Sequence, residues 1–183
     1  MSEERETLRV LVADERRRWL EPVADAVEAL GHEVIALALE TGEVASATHE
    51  HNPDLANVAL HEDTDHALAL ITEIVNEASC PVCLLAADPS LDFLSAAARA
   101  GVFAHLDSTD KTELQGGIDI AVQRYHQFRD LLGAFERRSR IERAKGVLIE
   151  RHGLDPDEAF ERMRRQARSE RRPIMGVVDD ILG

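Results

Sequence analysis

Five groups of residues in this chain are of types that do chemistry when suitably placed. Cys80 and Cys83 stand as CPVC, the spacing of a redox thiol pair or of half a zinc site. His49 and His51 lie at HxH spacing and His61 and His66 at Hx4H spacing, so either pair could offer imidazoles to a metal. Asp14 and Glu15 follow an apolar run and could offer oxygens to Mg²⁺. Glu62 and Asp63 are a second carboxylate pair. Residues 134–183 hold 12 Lys and Arg, all but Lys145 arginine, the side chain whose planar fork suits bidentate phosphate contacts.

Most of these groups have a plainer reading. CPVCLLA reads as a buried strand entered through Pro81, no second cysteine pair completes a zinc site, and free cysteine is among the most buried residue types. Two packing cysteines are therefore expected, with thiol redox chemistry a distant alternative. The histidines lack carboxylate or cysteine partners at fixed spacing and are expected to be scattered over the surface. Asp14 and Glu15 are expected to form a solvated strand end that binds Mg²⁺ weakly at most. No cofactor and no other metal is expected. The arginines are different: from Met163 to Ala167, and again at Arg171-Arg172, cations occur without interleaved acids, as on a phosphate-binding face.

The overall charge of −14 argues against nucleic acid until its distribution is considered. Residues 1–133 carry 25 Asp and Glu against 9 Lys and Arg, a net of −16, whereas residues 134–183 carry 10 against 12, a net of +2. The length of 183 residues suits a medium domain with a small appendage, and 44% hydrophobic residues suffice for a buried core. No apolar run approaches the roughly 20 residues of a membrane helix. MSEERETLR lacks the apolar stretch of a secretory signal. A cytoplasmic protein without a membrane partner is expected.

Strands and helices alternate through the acidic part. Leu8–Ala13 is an apolar run of strand length, and Trp19, Leu20, Val23, Val27 and Leu30 then recur at helical spacing up to a capping Gly31. Glu33–Leu39 is a second strand, followed by a helix near Glu43–Glu50. Leu55–Leu60 is a third strand after the Asn52-Pro53-Asp54 turn. Leu68, Ile71, Val75 and Ala78 stripe the next helix, Val82–Ala86 is strand four, Ser90–Ala100 a helix closed by Gly101, and Val102–Leu106 strand five. Such alternation implies a parallel sheet with helices on both faces and any chemistry at the carboxyl ends of the strands.

The acidic pair after strand one, NPDLANVAL, CPVCLLAA and RAGVFAHL together resemble a response-regulator receiver domain, a flavodoxin-like α/β fold with a five-stranded parallel sheet. The resemblance implies that an acidic pair holds Mg²⁺, an Asp ending strand three accepts a phosphoryl group, and a Ser or Thr and a Lys ending strands four and five hold it. Asp14 and Glu15 keep the acidic pair. Counted from Pro53-Asp54, however, the acceptor position is Ala59, the hydroxyl position Ala86 and the Lys position Ser108. An alanine has no oxygen to attack a phosphoryl donor. Residues 1–116 are therefore expected to be a pseudo-receiver with no catalytic residue and no phospho-acceptor, Glu62 and Asp63 being poor substitutes.

From Asp110 to Leu132 the chain has no proline, though Gly116-Gly117 weakens its first turns. Ile118, Ala121, Tyr125, Phe128, Leu132 and Phe135 follow the 3-4-3-4-3 spacing of a coiled-coil seam. Residues 117–138 are expected to be a helical connector that pairs two chains, the alternative being an ordinary helix packed on its own chain.

Arg140–His152 should be a helix with Ile141, Ala144 and Leu148 inward, ended by Gly153. Asp155-Pro156-Asp157-Glu158 is a strong start for a second, with Ala159, Phe160, Met163 and Ala167 inward. A third begins near Pro173, with Ile174, Val177, Val178 and Ile181 inward. RSRIERAKGVLIERHGLDPDEAFERMRRQAR with the apolar helix after it closely resembles the ANTAR domain, with Ala144-Lys145-Gly146 and Glu158-Ala159-Phe160 its most specific pieces and Val178 where a small alanine is common. The likeness spans roughly Gln123–Leu182, with the three-helix domain itself at 139–183. It implies a dimer that binds paired RNA stem-loops and releases transcription from termination.

On the residues themselves, Arg164, Arg168 and Arg172 recur at i, i+4, i+8, with Arg165 and Arg171 beside them and Arg140, Arg143 and Lys145 on the first helix. The two phenylalanines of this region, Phe135 and Phe160, are both expected inward, so stem backbone and loop shape should dominate recognition over base stacking. The expected function is a non-enzymatic, phosphorylation-independent RNA-binding antitermination regulator. Its expected partners are structured RNA, a second copy of the chain and an upstream signalling protein. The alternative is a protein-interaction or dimerisation module in a signalling pathway without direct RNA binding.

Overall fold

The computed structural model describes residues 7–14, 17–38, 43–60 and 63–183. Within them, strands β1 (Arg9–Asp14), β2 (Glu33–Ala38), β3 (Leu55–Ala59), β4 (Val82–Leu85) and β5 (Val102–Leu106) form one parallel sheet in the order β2-β1-β3-β4-β5. Between them run α1 (Arg17–Glu28), α2 (Val44–His51), α3 (Thr64–Glu77) and α4 (Leu91–Ala100). Every residue of β3 is buried, as a central strand covered on both faces must be, and this is why the strands read as continuous apolar runs. Ser90 caps α4 by accepting from the Phe93 N–H at 3.2 Å, and Gly101 ends that helix at φ 109°.

Helix α5 (Lys111–His152) runs 42 residues without a break, through both the segment read as a connector and the first helix of the C-terminal part. No proline interrupts it. Helices α6 (Pro156–Ser169) and α7 (Ile174–Leu182) complete the chain. The chain divides into two compact units, Met1–His126 and Gln127–Gly183.

The first unit has two cores, one on each face of the sheet. Leu11, Val58, Leu70, Ile71, Ile74 and Leu84 centre the α2, α3 and α4 face. Val10, Val12, Leu20, Val27, Leu55, Leu106, Leu114, Ile118 and Ala121 centre the α1 and α5 face. This corrects the seam read from the sequence. Ile118 and Ala121, both 0% exposed, belong to that intradomain core, and the Tyr125 ring meets Phe103 of β5 edge-on with centroids 5.4 Å apart. Apart from Ile120, the exposed large hydrophobic residues of α5 are Phe128 at 47%, Leu131 at 70%, Leu132 at 43% and Phe135 at 72%. Phe135 is thus outward, and Leu131 joins a stripe that the 3-4 count had omitted.

In the second unit Ala144, Leu148, Ala159, Met163, Ala167, Val177 and Val178 form one small core, with Ile141, Phe160, Ile174 and Ile181 packed against it. Asp155 and Glu158 make a full capping box at the head of α6: the Asp155 carboxylate accepts from the Asp157 and Glu158 N–H groups, and Glu158 accepts from the Asp155 N–H.

Candidate nucleic-acid interface

The carboxyl ends of the strands in the first unit carry little reactive chemistry among the described residues. Ala59 closes β3 and Ala86 follows β4, both buried. Ala86 donates its N–H to the Leu106 carbonyl, and its own carbonyl accepts from His105 Nε2 at 2.9 Å. Ser108 is engaged in the turn into α5, its hydroxyl donating to Glu113 at 2.6 Å and accepting from the Asp110 N–H at 3.2 Å. Glu15, His61 and Glu62 lie outside the described residues, as does the side chain of Asp14. Asp63 is the N-cap of α3, its carboxylate accepting from the Asp65 and His66 N–H groups. His49 is exposed at the end of α2, while His51 and His66 are half-buried.

Cys80 and Cys83 are both buried, and Cys83 sits on β4. Burial, with Asp54 nearby, pushes the Cys80 thiol up to about 12. Burial, with Cys80 nearby, does the same to Cys83. Neither supplies the thiolate that redox exchange requires.

The cations of the second unit divide into two sets. Arg140 on α5 pairs with Asp179 of α7. Arg172 bonds the carboxylates of Glu170 and Asp180 and donates to the Gly176 carbonyl at 3.0 Å. The bond to Asp180 holds the Arg172 guanidinium above its usual range and the Asp180 carboxyl below its own. Lys145 lies against both oxygens of Glu142, its side chain only 16% exposed. Arg140 and Arg172 tie α7 to the rest of the bundle, whereas the Lys145 pair lies within α5. These three do not form the open cationic row expected of them, and because α6 stops at Ser169, Arg172 lies beyond the helix and outside the i, i+4, i+8 face.

The other set is open to solvent. Arg143, Arg165, Arg168 and Arg171 are exposed and hold no ion pair among the described residues. Arg165 and Arg168 fall on the side of α6 opposite Ala159, Met163 and Ala167. Arg164 is shared: it lies over the Phe160 ring, 5.9 Å from the centroid, and donates to Glu161 at 2.6 Å. Arg162, which the sequence reading passed over, is exposed one turn before Arg165 and lines the same hollow near the start of α6. Its signal was available in the three-residue spacing to Arg165, but the single acid beside it, Glu161, masked it.

Residues 129–182 match the family model of the ANTAR domain. Over 182 residues the chain is 26% identical to the transcriptional regulatory protein PdtaR of Mycobacterium tuberculosis, an alignment spanning 95% of this chain and 89% of that protein. Solved structures similar to the first unit include the signal receiver domain of a modulated diguanylate cyclase from Desulfovibrio desulfuricans, with a TM-score of 0.58 and 16% identity, covering 67% of this chain and 98% of that one. NtrX from Brucella abortus gives a TM-score of 0.59 at 19% identity, covering 70% of this chain and 30% of that one. A CheY-like receiver domain from Methanospirillum hungatei gives 0.55 at 17%, covering 67% and 98%. At these identities the likeness is one of fold. Residues 129–182 are thus an ANTAR domain, and they follow a five-stranded domain with the fold of a signal receiver.

Proposed function

We propose that this chain is an RNA-binding transcription antitermination regulator of the cytoplasm, acting as a homodimer on paired stem-loops and by binding alone. The observation that carries this reading is the open set Arg143, Arg165, Arg168 and Arg171, with Arg162 beside it. Exposed guanidinium groups suit a phosphate backbone, even with Asp157, Glu158 and Glu161 lining the hollow beside Arg162 and Arg165. Phe160 is committed to the core, which leaves the backbone and shape of a stem as the features to be read. The exposed stripe Phe128, Leu131, Leu132 and Phe135 supports pairing of two chains. The alanines at positions 59 and 86 support control without phosphorylation, through an upstream signalling partner of another kind.

The reading is tested by selecting an RNA of two tandem hairpins against the full chain and titrating it at several salt concentrations. Arg165→Ala with Arg168→Ala should weaken binding and flatten the logarithmic salt dependence by about one to two units, since each lost phosphate contact releases fewer counterions. The fold should persist, both positions lying off the buried side of α6. Failure to recover any bound RNA would instead favour a protein-interaction module that docks partners on the exposed stripe of α5.

A further inference from the structure

The end of α6 is closed by a pair of hydrogen bonds common at helix C-termini: the Arg171 N–H donates to the Arg168 carbonyl at 3.2 Å and the Arg172 N–H to the Ala167 carbonyl at 3.0 Å. In that closure the residue after the cap is left-handed, a conformation that glycine adopts without a Cβ penalty. Three other helices use glycine there, Gly31 after α1 at φ 92°, Gly101 after α4 at 109° and Gly153 after α5 at 66°, and α2 ends on Asn52 at 43°, a short polar residue that tolerates this conformation. After α6 the position is taken by Arg171 at φ 51°.

A bulky residue in this region persists when the surroundings fix it, and such positions concentrate at functional sites. The surroundings here do fix it. Arg172 holds Glu170 on one side and Asp180 of α7 on the other, and reaches the Gly176 carbonyl as well. The Glu170 carboxylate is further engaged by Gln166, whose Nε2 donates to it at 2.9 Å. The acids next to the turn are thus already partnered, while Arg171 is exposed and carries no ion pair among the described residues, three residues from the equally open Arg168.

We infer that Arg171 is a phosphate-contacting residue of the RNA interface, held out by a strained turn, and that Arg172 is a positioning residue that fixes the turn without touching RNA. The inference rests on the RNA-binding reading above. It makes a sharp distinction between two adjacent arginines that sequence alone treats as equals.

The test uses the full chain and the tandem-hairpin RNA selected against it. Arg171→Gly keeps the left-handed backbone and removes the guanidinium. It should leave the melting temperature of the full chain, measured by calorimetry, unchanged or raised by roughly 2–5 °C. RNA affinity should fall by about 5- to 10-fold, with the salt slope smaller by about one unit. Arg171→Lys should retain most of that slope. Arg172→Ala should lower the melting temperature and weaken RNA binding with the slope unchanged. Wild-type affinity in Arg171→Gly, a lowered melting temperature in that variant, or a slope that drops in Arg172→Ala would each overturn the inference while leaving the RNA-binding reading in place. If the wild-type chain binds no RNA, both fall together.

Discussion

Gly117 of α5 faces Leu106 at the end of β5 so closely that a Cβ at Gly117 would overlap Leu106 Cδ2, with Cγ only 3.0 Å away and Cδ1 3.3 Å. Leu106 is 5% exposed and sits within the packed α1 and α5 face, so it has little room to rotate. Its neighbour Gly116 has nothing within 4 Å of the same position. The two glycines that weaken the helix on paper therefore have opposite reasons to be there. Gly116→Ala should stabilise the first unit by roughly 1 kcal/mol through helix propensity. Gly117→Ala gains the same but incurs about 1–3 kcal/mol of overpacking, and should be net destabilising by about 1 kcal/mol. Urea midpoints followed by the fluorescence of Trp19, the chain's one tryptophan, measure both. Equal gains in the two variants would show that Leu106 gives way.

The exposed stripe of α5 should be the dimer contact. Leu131→Glu with Phe135→Glu removes two side chains that are 70% and 72% exposed. Covering them by a second chain is worth roughly 2–4 kcal/mol per chain. Sedimentation at micromolar concentration should show a wild-type dimer and a monomeric double variant with unchanged helical content. Substituting Ile118 or Ala121, by contrast, should unfold the first unit, because both lie in its core.

Acetyl phosphate with Mg²⁺ should leave the intact mass of the protein unchanged. Methyl groups stand at Ala59 and Ala86, and the Ser108 hydroxyl is bonded to Glu113. An acid-labile gain of one phosphoryl group on residues 1–126 would show that a carboxylate elsewhere accepts it.

The two thiols should resist alkylation by iodoacetamide at pH 8 in the native protein and react readily in urea. Burial raises both from an ordinary value of 9.0 to about 12. The thiol form is the one favoured by folding, so its contribution to stability is complete below about pH 9 and is lost as pH rises through about 12. Cys80→Ser with Cys83→Ser should remove that alkaline decline, as read from urea midpoints across pH 8 to 11.

Much of the fold was legible because its determinants are local. A parallel strand is a mostly apolar run between turn residues, and β3 to β5 fall within one residue of where such runs place them. The capping box at Asp155 was equally plain. What failed depends on partners distant along the chain. A 3-4 spacing marks an apolar stripe but not what covers it, so Ile118 and Ala121 looked like a seam when β5 and α1 were waiting for them. Arg140 looked open because Asp179 lies 39 residues away. The end of α6 was overrun because an arginine stands where a glycine usually signals the stop.

The unbroken course of α5 also bears on how such a chain can change length over time. Within the second unit its successive stripes, Phe128 to Phe135 exposed and Ile141 to Leu148 against the core, are held in phase by one set of helical hydrogen bonds. Each inserted or deleted residue turns everything beyond it on the helix by about 100°. A single-residue change between Phe128 and Leu132 would therefore split the exposed stripe, whereas seven residues, close to two full turns, would nearly restore the phase. Loops elsewhere in the chain can vary residue by residue, but this segment can lengthen or shorten only in steps.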